Sequence, residues 1–438
     1  MSALSFLDRE RTVAGPGFSR WLVPPAALAV HLCIGQGYAL SVFNLPMSKQ
    51  LDWPLTTTVW MFNVAFFMLG ASAFAWGKWL ERVGPRKAMF AAAVCFGSGF
   101  LIAAGGVAAH SLVLLYGGFV VYGVGLGLGY ISPVSTLIKW FPDRPGMATG
   151  MAIMGFGGGA LIGSPLAQNL MDFYKTDTSA GVAPTFVTMG LGYFAFMMVG
   201  VFTVRVPPPG YAPEGFTPGP PKKLVTRAHV TPDESLKTPQ FWLLWGVLFL
   251  NVTAGIGVLA QASPMIQETF GARVSAGAAA GFVGFISIFN LAGRFLWSSV
   301  SDYIGRKATY AIYFALGTGL YCAVPTVGRW GSIGLFAGVF AVIFTMYGGG
   351  FATIPAYLRD LFGAEQVGAI HGRLLTAWSA AAITGPSIVT YMREYQLRHG
   401  VPKAEVYAIT MYVMASLLVG GLICNLCVKP VDPRHHAA

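Results

Sequence analysis

Charge is scarce in this chain. Of its 438 residues only 10% are Asp, Glu, Lys or Arg, and none of the 17 acidic residues lies in the middle of an apolar stretch. Soluble domains carry roughly 25% charged residues, so this composition, with 55% hydrophobic residues and a mean hydropathy of +0.62, excludes an ordinary water-soluble fold and makes the bilayer the solvent. Cysteine is equally sparse: Cys33, Cys95, Cys322, Cys424 and Cys427 all fall in apolar stretches. The pair Cys424 and Cys427 has no histidine or further cysteine beside it, so helix packing rather than metal or redox chemistry is expected. No cofactor and no metal are anticipated. Clustered nucleophiles, bases or metal ligands are missing, which argues against an enzyme, and so is the polar ring a channel filter needs. The amino terminus lacks the short apolar core of a signal peptide, so the first apolar stretch is expected to be retained.

What the chain has in abundance is apolar runs of bilayer length. A window of about 20 residues, enough to cross roughly 30 Å of hydrocarbon, finds twelve: 21–45, 57–80, 88–109, 111–138, 146–170, 184–204, 239–263, 276–300, 308–328, 332–357, 366–391 and 405–428. Lipid offers no partner to a free backbone amide, so all twelve are expected to be helices and the protein to be all-α. Lys and Arg number 20 on the side that carries both termini and 7 on the other, which places both termini in the cytoplasm. The net charge of +11 is therefore read as a topology signal, not a nucleic-acid surface: it is spread over loops without interleaved aromatics. Glycine runs such as Gly155 to Gly159, and Gly123, Gly125, Gly127 and Gly129, lie inside spans with no strand before them, so close helix packing is expected, not a nucleotide loop.

One basic residue stands apart. Arg294 lies in an otherwise uncharged run of 28 residues, 274–301. A guanidinium there costs about 2.5–3.5 kcal/mol on insertion scales and does not lose its proton, so it must face protein, water or an anion. No span offers an obvious carboxylate to neutralise it. Two parallel N–H···O bonds suit a planar guanidinium to a carboxylate, which makes Arg294 the candidate anchor for a small organic anion. Asn290, one turn earlier, is placed to donate to a second oxygen. With every acid at a span end or in a loop, His31 and His371 are the remaining candidates for proton coupling.

The chain also repeats itself. Gly37 pairs with Gly255 and Pro46-Met47 with Pro264-Met265 at an offset of 218, Glu81 and Gly84 with Asp302 and Gly305 at 221, and Pro133 with Pro355 at 222. The repeat predicts two homologous six-helix bundles, 1–204 and 239–438. Between them, 205–238 is rich in proline, including Pro207, Pro208, Pro209, Pro213, Pro218, Pro220 and Pro221, and reads as an extended or disordered cytoplasmic linker. A transporter-like sensor would call for an added soluble domain, and only this linker and short tails are at hand.

Gly77, Glu81, Arg82, Gly84, Arg86 and Lys87 after the second span, and Asp302, Gly305, Arg306 and Lys307 after the eighth, resemble the signature loop of the major facilitator superfamily, with Glu81 where that family usually has Asp. A carboxylate there is expected to pair with the opposite half and with the positive end of a neighbouring helix, latching the cytoplasmic gate. Glu81, Arg82, Arg86, Asp302 and Arg306 are the candidate gating residues. Gly37, Tyr38 and Ser41, then Gly127, Gly129, Tyr130 and Pro133, then Lys139 to Arg144 with Met154 to Gly157, and Leu361 to Gly363 resemble the bacterial oxalate/formate antiporter family, which is related to monocarboxylate transporters. The resemblance implies a secondary transporter working by alternating access, as anion exchanger or proton symporter, with a substrate-binding arginine eight residues before the loop Asp. Arg294 and Asp302 match that spacing. It also implies an aromatic cage, matched by Tyr38, Tyr130, Tyr347 and Phe351.

Oxalate-exchanging members carry a second cation on the eleventh helix, six residues after a glycine; counted from Gly372, that place holds Trp378. Arg373 lies five residues earlier, about 7.5 Å along a helix, and is expected at the gate or an interface. One cation matches one negative charge, so monocarboxylates of the lactate, pyruvate and formate class are expected ahead of oxalate. The expected partners are this substrate and the lipid bilayer, with no nucleic acid and a functional monomer.

Overall fold

A computed structural model describes residues 5–216, 224–226 and 228–437. Within them the chain is helical, and the one β-contact is an isolated parallel bridge between Val13 and Val206. Pro218, Pro220 and Pro221 of the linker lie outside the described residues.

The first half contains α1 (Val23–Ile34), α2 (Asn44–Leu51), α3 (Leu55–Val83), α4 (Pro85–Ala108), α5 (Leu112–Trp140), α6 (Pro145–Tyr174) and α7 (Val182–Thr203). After a short α8 (Pro232–Ser235), the second half contains α9 (Pro239–Ala260), α10 (Ala262–Phe270), α11 (Ala276–Ile304), α12 (Arg306–Arg329), α13 (Ile333–Phe362), α14 (Val367–Leu374), α15 (Thr376–Arg398) and α16 (Ala408–Cys427). Among the described residues, 11 helical stretches are long and apolar enough to cross a membrane. The expected span without a counterpart among these is the eleventh, 366–391, which is the broken pair α14 and α15. It falls short as a single apolar helix because the chain breaks at Leu375 and α15 then carries Thr376, Ser379, Thr384 and Ser387 before its charged end.

The duplication is visible in backbone geometry. Gly84 between α3 and α4 has φ +83°, and Gly305 between α11 and α12 has φ +87°; an L side chain is strained there, so the same tight turn demands glycine in both halves. Ser111 and Ser332, at corresponding starts of α5 and α13, each accept the N–H three residues on. The first span is interrupted by a 3-10 helix over Gly35–Phe43 and the seventh by a break at Gln261, which the offset of 218 pairs with Phe43, so the two equivalent spans both depart from α-geometry.

Glycine sets how closely helices approach. A Cβ on Gly123 would lie 2.6 Å from the Ala65 carbonyl of α3, and one on Gly125 would lie 2.6 Å from the Phe96 nitrogen of α4, so α5 is wedged between both. Leu161, Ile162, Phe196, Phe202, Leu296 and Ile423 remain exposed on the outer faces, where hydrocarbon solvates them.

The two halves meet along two seams related by the repeat. In one, Gly146 and Gly150 of α6 oppose α11, a Cβ at Gly150 falling 2.1 Å from Ser298 Oγ. In the other, Gly70 of α3 donates its N–H to Ser379 Oγ of α15 at 3.1 Å. The first seam lies on the side where the chain termini and the linker pack, hereafter the terminal face, and the second runs to that side from mid-helix, through Gly77 against Ala369 to Glu81 against Gly368. The halves are therefore shut against each other on that side.

Candidate functional site

Arg294 is fully buried, ten residues before the end of α11 at Ile304 and so about 15 Å in from the terminal face. Its Nε donates to Asn290 Oδ1 at 3.3 Å, and its Nη1 donates across the interface to the Ile153 carbonyl of α6, also at 3.3 Å. Nη2 has no partner. No acid is paired with Arg294; every ion pair among the described residues lies elsewhere. The guanidinium carbon stands 5.7 Å from the Phe156 ring centre and 5.3 Å from that of Phe351, one ring from each half. Cation–π attraction offsets part of the lost hydration without cancelling the charge. Gly157 makes room for it: a Cβ there would lie 3.0 Å from Arg294 Nε.

Around this cation the aromatic side chains close a box. Trp378, fully buried, is its hub, with ring centres of Phe351 at 4.6 Å, Tyr130 and Phe156 at 5.3 Å, Phe66 at 5.6 Å and Tyr38 at 6.3 Å. Tyr347 meets Phe351 edge-on at 5.3 Å. Each Tyr130, Tyr38 and Tyr347 hydroxyl, and the Trp378 Nε1, is buried without a hydrogen-bond partner. The Tyr38 hydroxyl nonetheless lies within reach of Arg294 and of Tyr347, so the donors left wholly unmet are the Tyr130 hydroxyl and Trp378 Nε1, and a buried donor left unmet costs about 1–3 kcal/mol. One positive charge and an excess of donors suit a small anion.

Between this box and the terminal face, two carboxylates reach across from one half to the other. Asp302, at the end of α11, accepts the N–H groups of Gly146 and Met147 at 2.8 Å each. These begin α6 in the opposite half, so the carboxylate sits on the positive end of that helix. Arg306 holds Asp302 in place at 2.6 Å and also binds Asp360 at 3.1 Å. In the equivalent position Glu81 accepts the N–H of Gly368, which begins α14, at 3.0 Å, and is held by Lys139 at 2.6 Å and Ser135 at 2.9 Å.

A family model of the Major Facilitator Superfamily matches residues 27–386. The chain belongs to that superfamily. It is 28% identical over 371 residues to the oxalate:formate antiporter of Oxalobacter formigenes, covering 84% of this chain and 83% of the relative. It is 25% identical over 401 residues to human monocarboxylate transporter 11, covering 87% and 79%. Among solved structures, a bacterial homologue of the iron transporter ferroportin in an outward-facing state superposes with a TM-score of 0.64 at 13% identity, covering 92% of this chain and 98% of that one. That likeness speaks to the fold.

Within this member of the superfamily the residues singled out from sequence divide into groups. Arg294, Tyr38, Tyr130, Tyr347, Phe351 and Trp378 come together in one box. Asn290 is beside it, but its Oδ1 is spent on orienting Arg294. Glu81 and Asp302 hydrogen-bond between the halves; Arg306 bonds only within its own half, holding Asp302, while its Nη1 packs against Gly146 of the other. Arg86 departs from its expected gate role: it is buried and donates to the Phe6 and Val204 carbonyls at 2.9 and 3.1 Å, all within the first half, fastening the amino-terminal tail. Arg82 likewise reaches no residue of the opposite half, being solvent-exposed at the terminal face. His31 and His371 flank Tyr130 at ring distances of 5.4 and 5.8 Å. His31 Nδ1 lies 3.2 Å from the Ala27 carbonyl, and neither His371 nitrogen has a partner.

Sequence reasoning missed Phe156 and Phe66 as walls and the Ile153 carbonyl as an acceptor. Phe156 stands within the motif from Met154 to Gly157, and its signal was a lone aromatic in a glycine run. A backbone carbonyl has no sequence signal at all.

Proposed function

We propose that this transporter carries small monocarboxylates across a bacterial inner membrane by alternating access, with both termini in the cytoplasm and one chain as the working unit. The observation that carries this reading is the buried Arg294, unpaired by any acid and surrounded by unmet donors. A carboxylate entering the box would accept from Nη2 and, if Nη1 leaves the Ile153 carbonyl, from both nitrogens in the bidentate geometry a guanidinium favours. The Tyr38 and Tyr347 hydroxyls, with Asn290 Nδ2, are available to a keto or hydroxyl oxygen.

The charge count favours one negative charge. The other arginine close to this level, Arg373, is paired to Asp233 at 2.6 Å, so an oxalate dianion would keep one charge uncompensated in low dielectric. Exchange follows from the same argument: a carrier moving Arg294 without an anion transfers an unpaired charge, whereas the loaded one is neutral. The His31, Tyr130 and His371 cluster is the place where a proton would be held were transport proton-coupled.

Purified protein in liposomes, given labelled formate, lactate, pyruvate and oxalate with and without internal counter-substrate, tests this. Trans-stimulated uptake of monocarboxylates is expected; failure with all three would overturn the reading. Trp378→Lys supplies a second cation to the box. It is expected to raise the preference for oxalate over formate in competition assays by about tenfold, the equivalent of roughly 1.4 kcal/mol, at some cost in stability from the lost ring contacts. An unchanged preference would refute the argument from charge number.

A further inference from the structure

The chain leading out of the Pro-rich segment is stitched to the second half. Thr226 N–H donates to the Asp360 carbonyl at 2.8 Å, Val230 N–H to the Phe362 carbonyl at 2.9 Å, and Ala437 N–H of the carboxyl-terminal tail to the His229 carbonyl at 2.7 Å. Thr231 then caps α8, its Oγ1 accepting the Glu234 N–H at 3.2 Å. This turn carries Asp233 over the seam between α3 and α14. One carboxylate oxygen accepts from Arg373 Nη2 of α14 at 2.6 Å; the other accepts from Lys78 Nζ of α3, in the opposite half. Lys78 lies one helical turn before Glu81, so the two cross-half contacts stand side by side. Arg373 is buried, with its guanidinium 5.6 Å from the Phe74 ring of α3.

We propose that Asp233 is a third carboxylate latch of the terminal-face gate, a linker residue that joins Lys78 of the first half to Arg373 of the second and must release Lys78 whenever the halves part there. The inference rests on the alternating access proposed above. It gives the linker a part in the cycle beyond tethering, since the linker rides with the second half and reaches across to the first. Arg373 gains a counter-ion that stays with it when the seam opens, so opening leaves no bare buried cation. Lys78 and Asp233 are 42% and 61% exposed, which makes their separation cheap enough for a working gate. Hydrogen bonds from Lys78 and then Arg373 hold the Asp233 carboxyl at about 2, below its usual value. A depressed carboxyl contributes its stabilisation above its ordinary range and loses it as pH falls through about 2, so this latch is constant at physiological pH.

The decisive test locks the pair. In a full-length chain whose five native cysteines are replaced, Lys78→Cys and Asp233→Cys are combined and joined with a short bifunctional methanethiosulfonate. Counterflow of formate is expected to fall to the level of empty liposomes and to return on adding dithiothreitol, while either single cysteine treated alike moves formate at the rate of the same variant left untreated. Full transport by the cross-linked protein would overturn the proposal. Amide exchange of residues 367–374 gives a readout independent of substrate: Asp233→Asn is expected to speed it by at least roughly twofold, the scale of an exposed ion pair, and an unchanged rate would also count against the latch. Should the parent chain move no monocarboxylate, the function proposed above fails, and amide exchange still decides the role of Asp233.

Discussion

Arg294→Lys is expected to abolish monocarboxylate uptake while leaving the protein folded. Lysine keeps the charge, so this substitution separates geometry from valence. The ammonium is a point charge without the planar fork, and it would lose the acceptors that orient the guanidinium, Asn290 Oδ1 and the Ile153 carbonyl. It would also lose much of the fit between the Phe156 and Phe351 rings, where a flat, weakly hydrated cation is favoured. Arg294→Met goes further and removes the charge from a fully buried site. A carboxylate entering that box would be desolvated without a partner, a penalty of about 3–5 kcal/mol, or roughly 10²–10⁴-fold in affinity. Thermal stability is expected to hold or rise in Arg294→Met, because an unpaired buried cation is replaced by an apolar side chain of similar length. Loss of transport with unchanged or raised melting temperature is the signature of a functional rather than a structural arginine. Retained transport in either variant would remove the foundation of the anion reading.

Arg294 was legible because a permanent charge inside an apolar run admits few explanations. The same holds for the paired turns: Gly84 and Gly305 both adopt positive φ, and a repeated glycine is the sequence trace of a repeated backbone need. That Glu81 and Asp302 would each meet a helix amino terminus of the opposite half was also readable, since an acid at a helix end seeks one. Their partners were not, because the N–H groups of Gly146, Met147 and Gly368 belong to the backbone and leave no mark on residue identity. Arg86 was misassigned for a related reason. A basic residue beside a gating acid has the same composition whether it reaches across to the other half or back to its own tail, and tertiary packing alone decides. The break at Leu375 escaped notice because hydropathy averaged over a window does not register a single interrupted turn. The linker was read as a tether from its prolines; where Asp233 docks depends on the capped turn at Thr231, well beyond them.

Asp302→Asn is expected to shift the gate further than any other change among the latches. Asp302 accepts two N–H groups from the opposite half, against one for Glu81, and each bond to a charged acceptor is worth about 1.5–3 kcal/mol. The amide keeps one acceptor oxygen but turns an NH2 group toward donors and toward Arg306, so at least one favourable contact becomes repulsive. These bonds exist only while the halves touch. Their loss therefore falls on the equilibrium between closed and open at the terminal face, and not on the stability of either half. A shift of about 2–3 kcal/mol is expected, roughly 30–150-fold toward opening, seen as faster amide exchange over residues 146–150 and as depressed counterflow. Glu81→Gln is expected to act in the same direction with a smaller amplitude. The two residues sit on separate seams without shared partners, so their free-energy effects should add in the double variant. Additivity would mean that both seams part in one motion, as rocking of two bundles requires. An Asp302→Asn protein with unaltered exchange and transport would reduce that carboxylate to a topology signal and leave the alternating-access gate to be sought elsewhere.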